Sequence, residues 1–253
     1  MKKALAIVPA RFASTRFPGK PLVKIRGKTM IERVVEQAAK CPSVSEIIVA
    51  TDHLEIQSAV HAFGGKVVMT SENCQSGTDR CAEVMLKTSF ENEIIVNIQG
   101  DEPFIHPEQI EQLIGLMQSA TVQIGTLAKK ITDSESIFNP NVVKLVRSLS
   151  GKALYFSRNP IPFVRAAEGK DWLRSAAFFK HIGMYAYQKS VLTDIAKLPQ
   201  GSLEMAESLE QLRWLEAGYD IYVSETELES IGIDTPEDLS KAEEMFRKSF
   251  GFE

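Results

Sequence analysis

Three cations near the amino terminus alternate with residues that restrict the backbone. Arg11, Arg16 and Lys20 lie within residues 9–21, which follow the apolar run of residues 4–8 and include three prolines and a glycine. These prolines and the glycine disfavour a regular helix or strand directly after the apolar run. The segment is therefore expected to be a loop at the end of a strand, where open α/β sheets bind ligands. The three cations make phosphate the expected ligand.

The charges are unevenly distributed along the chain. Residues 1–31 contain eight of the 29 Lys and Arg residues and none of the 33 Asp and Glu residues, in a chain with a net charge of −4. A cationic segment in an otherwise acidic chain indicates a local anion site rather than a general affinity for nucleic acid, which usually needs a basic domain. The alternative interpretation is a solvated cationic edge, since Lys-rich termini are common.

Two well-known phosphate motifs are absent. Residues 27–29 read Gly-Lys-Thr, like the end of a P-loop, but Leu22 occupies the position of the required glycine. No Gly-x-Gly-x-x-Gly follows the first apolar run either, which excludes the dinucleotide fingerprint. Any phosphate must therefore be held largely by side chains.

Apolar runs of strand length alternate with helical patterns over the first 117 residues. Four strands are expected, at residues 4–8, 46–50, 67–69 and 94–98. Helices are expected from Thr29 to about Cys41, after an Asp52 cap, from about Cys81 with Leu86 facing inward, and from Pro107. Because the strands are apolar throughout, the fold class predicted is α/β, a mostly parallel sheet flanked by helices.

An acidic residue follows the fourth expected strand, at the same edge of the sheet as the cations. Asp101 would repel a polyanion unless a divalent cation lay between them, and magnesium favours one or two carboxylates together with phosphate oxygens. Asp101 is therefore a candidate magnesium ligand. The alternative is a turn-forming aspartate, since Gly100 and Pro103 flank it. Asp234 is the second candidate, because Thr235 already fills the cap position of the last expected helix.

The middle of the chain is less regular. We expect one domain over residues 1–253, with an inserted smaller subdomain at about residues 132–187 that serves sugar binding and dimerisation. Three of its side chains have polar tips that a substrate could use, Arg158, His181 and Tyr185, although a lone histidine is more often structural.

An apolar stripe predicts one helix over residues 202–218. Met205 and Leu209 lie on this stripe, and Glu210 and Gln211 lie beside it.

Length and composition restrict the class of protein. A chain of 253 residues with 44% hydrophobic residues can bury a full core. No apolar run approaches the length of a membrane span, and the first apolar segment is too short for a signal peptide, so a cytoplasmic location is expected. Three cysteines without Cys-x-x-Cys spacing suggest neither a disulfide framework nor a zinc site.

Seven short motifs, in their order and spacing, resemble the 3-deoxy-manno-octulosonate (Kdo) cytidylyltransferase family. They span nearly the whole chain and lie at residues 8–22, 75–80, 97–103, 138–141, 153–158, 209–213 and 232–238. The related acylneuraminate cytidylyltransferases share the fold, but their first loop looks different. The resemblance implies a nucleotide-diphospho-sugar transferase fold, magnesium, a homodimer, and the formation of CMP-Kdo and pyrophosphate from CTP and Kdo for lipopolysaccharide synthesis.

The resemblance also implies a role for individual residues. The nucleotide would be bound by Ala10, Arg11, Arg16, Lys20, Ser76, Gly77, Arg80 and Gln99. The sugar would be bound by Arg158, His181, Tyr185, Glu210 and Gln211. Magnesium would be held by Asp101 and Asp234, and Lys20, Arg11 and Asp101 would carry the catalysis.

Other functions remain open at this point. A relative could use the 8-amino analogue of Kdo, and no residue in the sequence separates the two sugars. A nonenzymatic CTP sensor would keep the fold without turnover, although the predicted metal pair and Lys20 argue against it. A sugar-1-phosphate nucleotidyltransferase would use a phosphate as the nucleophile. No nucleic-acid partner and no membrane insertion are expected.

Overall fold

The computed structural model describes residues 2–13, 17–230, 232–233 and 235–240, without the side chain of Lys170. The chain divides into two compact units. The first contains Met1–Glu111 and Ser230–Glu253, and the second contains Gln112–Glu229. Residues 132–187, the expected insertion, all lie in the second unit, which also includes residues 112–131 and 188–229.

A four-stranded parallel sheet forms the centre of the first unit, in the order β6-β1-β4-β5. The side chains of β1 are almost all buried, as expected for a parallel strand covered on both faces. A two-stranded antiparallel ribbon, β2 with β3, follows the first loop. These strands are β1 (Ala4–Ala10), β2 (Lys24–Ile25), β3 (Lys28–Thr29), β4 (Val44–Thr51), β5 (Lys66–Met69) and β6 (Ile94–Asn97).

Helices connect these strands, as the alternating pattern predicts. They are α1 (Met30–Ala39), α2 (Leu54–Ala62), α3 (Gly77–Lys87) and α4 (Pro107–Leu116), and residues 236–240 are also helical. The expected Thr29 cap is confirmed, because its hydroxyl accepts a hydrogen bond from the Glu32 amide at 3.3 Å. Thr235 caps residues 236–240 in the same way, through the Asp238 amide.

Two local expectations for the first unit are wrong. The cap of α2 is His53, whose Nδ1 accepts from the Glu55 amide, because Asp52 forms an ion pair with Arg80 instead. Leu86 is 74% exposed rather than inward-facing. The buried face of α3 is made by other residues, including Cys81 and Met85.

The second unit has a mixed sheet in the order β11-β7-β10-β8-β9, in which only β11 and β7 are parallel. Its strands are β7 (Ile124–Lys130), β8 (Lys144–Arg147), β9 (Ala153–Ser157), β10 (Phe179–Gln188) and β11 (Ile221–Glu225). Its short helices are α5 (Ser134–Phe138), α6 (Trp172–Ser175), α7 (Lys189–Ile195), α8 (Ser202–Glu207) and α9 (Gln211–Glu216).

The single helix predicted over residues 202–218 is wrong. The chain forms α8 and α9, separated at Ser208, which has a left-handed conformation with φ 52° and ψ 48°. The predicted apolar stripe is not one buried face: Met205 is 63% exposed, whereas Leu209 and Leu212 are buried. Glu210 and Gln211 therefore lie at the start of a new helix.

Among the described residues, no helix combines the length and the apolar character needed to cross a membrane.

Candidate nucleotide site and candidate sugar-binding residues

A pocket of about 400 Å³ lies in the first unit. Its walls come from the end of β1 and the loop after it, from the loop before α3 with the start of that helix, and from the loop after β6. The lining residues are Pro9, Ala10, Arg11, Lys20, Pro21, Cys74, Gln75, Ser76, Gly77, Arg80, Gln99, Gly100 and Asp101. All predicted nucleotide-binding residues within the described chain are therefore brought together. Arg16 lies outside the described residues.

Two glycines allow the loops to approach closely at the floor of the pocket. A Cβ atom at Gly100 would lie 2.5 Å from the carbonyl oxygen of Pro9, so no other residue fits without a backbone shift. A Cβ atom at Gly77 would lie 3.4 Å from both Asn97 and Pro9. The loop after β6 therefore packs directly on the end of β1, which brings Asp101 to the cationic loop.

Lys20 and Asp101 form an ion pair in the pocket, with 2.7 Å between Nζ and Oδ2. Lys20 begins a 3₁₀ turn, Lys20–Leu22, and its side chain is 11% exposed, whereas that of Asp101 is 32% exposed. The Asp101 carbonyl accepts a hydrogen bond from the Ile233 amide at 2.9 Å, which fixes the loop. The predicted meeting of a cation and a carboxylate at this sheet edge is thus present.

Of the two predicted magnesium ligands, the structure describes only Asp101. Among the described residues, no three His, Cys, Asp or Glu side chains form a metal-binding cluster. Asp234, the second predicted ligand, lies outside the described residues. Magnesium, however, usually takes only one or two carboxylates and completes its coordination with water and substrate phosphate. The partly exposed Asp101 carboxylate, which pairs with Lys20 at the wall of the pocket, fits such a site.

Arg80 contributes a fixed charge to the wall of the pocket. Its Nη2 pairs with Asp52, its Nη1 donates to the Thr70 hydroxyl at 2.7 Å, and the residue is only 3% exposed. A buried guanidinium held by a carboxylate and a hydroxyl has little freedom to follow a ligand. Sequence reasoning assigned Asp52 to a helix cap and missed this pair.

Cys74 and Gln75 also line the pocket and were not predicted to do so. The Cys74 thiol donates to Glu83 at 3.0 Å, and burial together with this carboxylate raises the pKa of the thiol to about 12. Glu83 also accepts from the Ser71 amide, and Asp79 accepts from the Gln75 and Ser76 amides at 3.0 Å. Two carboxylates of α3 therefore hold the loop of residues 71–76.

Glu102, next to Asp101, is a buried acid. Burial raises its pKa to about 7, with a further contribution from the charge of Asp101, and the hydroxyl of Ser230 donates to it at 2.5 Å. The rim that carries Asp101 therefore contains two neighbouring carboxyl groups in different environments.

The candidate sugar-binding residues lie in the second unit, and Arg158 is already engaged within the protein. Its side chain donates to the carbonyl oxygens of Pro140, Glu207 and Ser208 at 2.7–3.3 Å. The Glu207 carboxylate accepts from the Arg158 amide and the Ser157 hydroxyl. These bonds fix the chain between α8 and α9, directly before Glu210.

His181 and Tyr185 face each other on β10, with ring centroids 5.2 Å apart. Burial lowers the pKa of His181 to about 3, so the imidazole is neutral at pH 7, where it pairs with the Thr126 hydroxyl at 3.0 Å. The Tyr185 hydroxyl is buried and has no hydrogen-bond partner among the described residues. Its pKa is raised by burial and by its neighbours Tyr187 and Glu210.

Glu210 and Gln211 begin α9, next to this aromatic cluster. Tyr185 packs edge-on against Trp214 of the same helix, with 5.0 Å between the ring centroids. Glu210 is partly exposed and lies 3.9 Å from Arg213, and Gln211 is 5% exposed. The structure thus places His181, Tyr185 and Glu210 close to one another, with Arg158 bound to the chain just before Glu210.

Comparison with known proteins points to one family. A protein-family model described as cytidylyltransferase matches residues 5–231. A 3-deoxy-manno-octulosonate cytidylyltransferase from Cytophaga hutchinsonii is 54% identical over 236 residues, which cover 93% of this chain and 94% of the relative. The enzyme of that name from Parabacteroides distasonis is also 54% identical, over 96% of this chain and 97% of the relative.

Solved structures agree with the sequence relatives. The structure of a CMP:2-keto-3-deoxy-manno-octonic acid synthetase complexed with CTP superposes with a TM-score of 0.90 and 42% identity, covering 98% of this chain and 100% of that chain. A 4-diphosphocytidyl-2C-methyl-D-erythritol synthase from Anaerococcus prevotii, 16% identical with a TM-score of 0.63, shares the fold. The predicted α/β class is thereby confirmed. With this fold, and with matched relatives along nearly its whole length, the chain belongs to the 3-deoxy-manno-octulosonate cytidylyltransferase family of nucleotidyltransferases.

Proposed function

We propose that this enzyme transfers the CMP moiety of CTP to the anomeric hydroxyl of Kdo and releases pyrophosphate. The observation that carries the proposal is the pocket at the strand ends, where Arg11, Lys20 and Asp101 converge. Its volume of about 400 Å³ lies in the range usual for small-molecule sites. The names of the Cytophaga hutchinsonii relative and of the synthetase solved with CTP supply the substrate pair.

The reaction is a displacement at the α-phosphorus. The anomeric oxygen of Kdo forms a bond to this phosphorus while the bond to the β-phosphate oxygen breaks, and the hydroxyl proton passes to solvent. In such transfers, catalysis consists mainly of positioning and of neutralising the charge that develops on the phosphoryl oxygens. Arg11 and Lys20 provide that positive charge at the pocket wall, and the buried guanidinium of Arg80 adds to it.

Magnesium is the proposed cofactor. Asp101 would hold it, together with Asp234 in the part of the chain that the structure does not describe. When bound, the ion would neutralise phosphate oxygens and help to orient the triphosphate. Lys20 then has two roles, since it pairs with Asp101 at 2.7 Å and lines the same pocket as the triphosphate site.

Kdo is proposed to be recognised by the second unit, through Arg158, His181, Tyr185, Glu210 and Gln211. The neutral imidazole of His181, and the Tyr185 hydroxyl, which has no partner in the part of the chain that the structure describes, support a role in hydrogen bonding rather than in charge neutralisation. Arg158 supplies a positive charge, although its donors are bound to three carbonyl oxygens.

The proposal extends to the setting of the enzyme. We place it in the cytoplasm, as a homodimer that activates Kdo for lipopolysaccharide synthesis. The positive segment at the amino terminus is assigned to CTP, and no nucleic-acid partner is proposed. Gel filtration with light scattering would test the dimer, for which a mass near twice 28.1 kDa is expected.

Pyrophosphate release tests the function directly. Release should require CTP, Kdo and magnesium together, and should fall strongly when UTP or ATP replaces CTP or when N-acetylneuraminate replaces Kdo. A preference for the 8-amino analogue over Kdo would reassign the sugar. Turnover with glucose-1-phosphate instead would indicate a sugar-1-phosphate nucleotidyltransferase. Tight CTP binding without sugar-dependent release would indicate a sensor, and either result would overturn the proposal.

A further inference from the structure

An aromatic contact outside the pocket holds the loop after β1, which carries Arg11 and Lys20. Phe12 directly follows Arg11, and its ring stacks on the imidazole of His53, with centroids 3.9 Å apart and an angle of 15° between the planes. Neither ring is among the groups that line the pocket. Both residues are half-buried. The contact joins the loop after β1 to the junction between β4 and α2.

His53 is a rigid support for this ring. Its amide donates to the hydroxyl of Thr51, which is fully buried at the end of β4, and its Nδ1 accepts from the Glu55 amide as the cap of α2. Its carbonyl oxygen accepts from the Gln57 amide in the first turn of the helix. The two main-chain hydrogen bonds therefore fix the backbone of His53, and the bond to Nδ1 orients the imidazole against which Phe12 rests.

The other end of the loop is attached to Phe12 as well. The Gly19 amide donates to the Phe12 carbonyl at 3.1 Å, and Gly19 has the left-handed conformation, with φ 68°. A Cβ atom at Gly19 would lie 3.4 Å from the Phe12 ring, so the ring lies against the glycine. Arg11 directly precedes Phe12, and Lys20 directly follows Gly19. Phe12 and Gly19 are hydrogen-bonded to each other, and the Phe12 ring rests on His53.

We propose that His53 is a positioning residue for the nucleotide site, acting through its stack with Phe12 to hold Arg11 and Lys20 where the triphosphate binds. This inference deepens the proposed function and rests on it for the identity of the nucleotide. The imidazole does not touch the reacting atoms, so the role is the geometry of the cations and not proton transfer. Loss of the stack should therefore weaken CTP binding more than it slows the chemical step.

The chain allows the two roles of His53 to be separated. His53→Asn keeps an N-cap side chain and removes the aromatic ring. His53→Phe keeps a ring for stacking and removes the cap. Phe12→Leu removes the ring on the loop side of the contact and leaves His53 unchanged. His61→Asn is the matched control, because His61 is an exposed histidine at the other end of α2.

The decisive measurement is the dissociation constant of CTP by calorimetry, with KM for CTP and kcat alongside it. An aromatic pair of this kind corresponds to roughly two- to tenfold in binding. His53→Asn and Phe12→Leu should each raise the dissociation constant by that factor, with a smaller change in kcat. His53→Phe should lie within about twofold of the wild type, as should His61→Asn. The double variant should bind no more weakly than the weaker single variant, because both remove the same contact.

Two results would overturn the inference. One is wild-type CTP affinity in both His53→Asn and Phe12→Leu. The other is a loss in His53→Phe as large as that in His53→Asn, which would assign the effect to something other than the ring. If wild-type protein bound CTP but did not turn over Kdo, the proposed function would fail separately, and the order of the CTP dissociation constants would still decide the role of His53.

Discussion

Two lysines of this chain, one in each unit, lie in opposite surroundings: Lys20 lines a pocket, and Lys144 is buried in the protein. Lys20 pairs with the Asp101 carboxylate in a pocket open enough to admit a ligand. Lys144 is fully buried and donates to the carbonyl oxygens of Asn139, Val142 and Arg158. An ammonium group has three protons, and Lys144 places all three on the backbone. Lys20 therefore lies at the wall of the candidate nucleotide site, whereas all three protons of Lys144 are bound to the backbone.

The environment of Lys144 extends this contrast to Arg158. Together the two cations bind six carbonyl oxygens of the second unit, and we name this arrangement the carbonyl cluster. Burial lowers the pKa of Lys144, and the nearby Glu207 carboxylate opposes this effect. The carbonyl cluster fixes the loop of residues 139–142 and the break between α8 and α9. Through these bonds the carbonyl cluster shapes the backbone that leads to Glu210, and the role of Arg158 in sugar binding stays a prediction.

Removing the buried lysine should have the largest effect on stability. Lys144→Met keeps the apolar stem but leaves three carbonyl oxygens without a donor. We expect the free energy of unfolding to fall by about 3–5 kcal/mol, as measured by urea unfolding. Lys197→Met is the matched control, since Lys197 is an exposed lysine of the same unit, and should change this free energy by less than about 0.5 kcal/mol. A similar, small change in both variants would contradict the structural role of Lys144.

The pocket lysine should show the opposite behaviour. Lys20→Ala should lower kcat for pyrophosphate release by about 100-fold, or about 2.7 kcal/mol of barrier, because it removes a charge placed where phosphoryl charge develops. Asp101→Ala should cause a loss of similar size. Neither should approach the destabilisation expected for Lys144→Met, since the pair is partly exposed. Lys24→Ala, at an exposed position of β2, is the control and should retain activity. Near wild-type turnover of either pocket variant would reject its catalytic role.

Acid should destabilise the second unit at a higher pH than it destabilises α3 of the first unit. The pKa of His181, lowered by burial to about 3, lies below its ordinary value of 6.5. The stability that the neutral imidazole contributes is complete above pH 6.5 and is lost as the pH falls towards 3. Glu83 of the first unit is partly buried, which opposes ionisation, but hydrogen bonds from Cys74, Lys87 and Ser71 lower its pKa from 4.5 to about 2. Its contribution is lost only between pH 4.5 and 2.

Hydrogen exchange measured by mass spectrometry at pH 7.5 and pH 5 tests which of the two regions loses stability first as the pH falls. With intrinsic exchange rates corrected for pH, protection in β10 and β7 should fall at pH 5, by roughly 2 kcal/mol, while protection in α3 should be kept. His181→Phe should remove most of the fall in the second unit. Equal loss of protection in both units at pH 5 would show that His181 is not the group responsible.

The contrast also explains which features the sequence could predict. Arg11 and Lys20 lie in the loop after β1, and Asp101 lies in the loop after β6. Because parallel strands bring their carboxyl ends together, local patterns are enough to predict the pocket. Asp52 and Arg80 are 28 residues apart, and a preceding strand with a helical pattern made a cap the natural assignment for Asp52. The burial of Lys144 depends on backbone carbonyl oxygens, including that of Arg158, 14 residues along the chain. Because every residue has a carbonyl group, residue types do not reveal which of these groups will bind the lysine.

The break between α8 and α9 is a further feature that the pattern hid. Helices often end at a glycine in the left-handed conformation, but here the position is occupied by Ser208. The apolar stripe continues through it at helical spacing, so the sequence predicts one helix. A tertiary contact ends α8, because the Arg158 side chain donates hydrogen bonds to the carbonyl oxygens of Glu207 and Ser208.

Ser208→Gly should distinguish the continuous helix from the broken one. The change that we expect in the free energy of unfolding is the smallest of the predicted effects. In a continuous helix, glycine would lower the free energy of unfolding, by about 0.5 kcal/mol relative to serine. At a left-handed residue it relieves steric strain, so we expect an increase of about 0.5–1 kcal/mol in urea unfolding. Ser190→Gly, within α7, provides the comparison and should lower the same quantity. Opposite signs at the two serines would show that α8 ends where the carbonyl cluster holds it, whereas a decrease at both would favour the continuous helix that the pattern alone predicts.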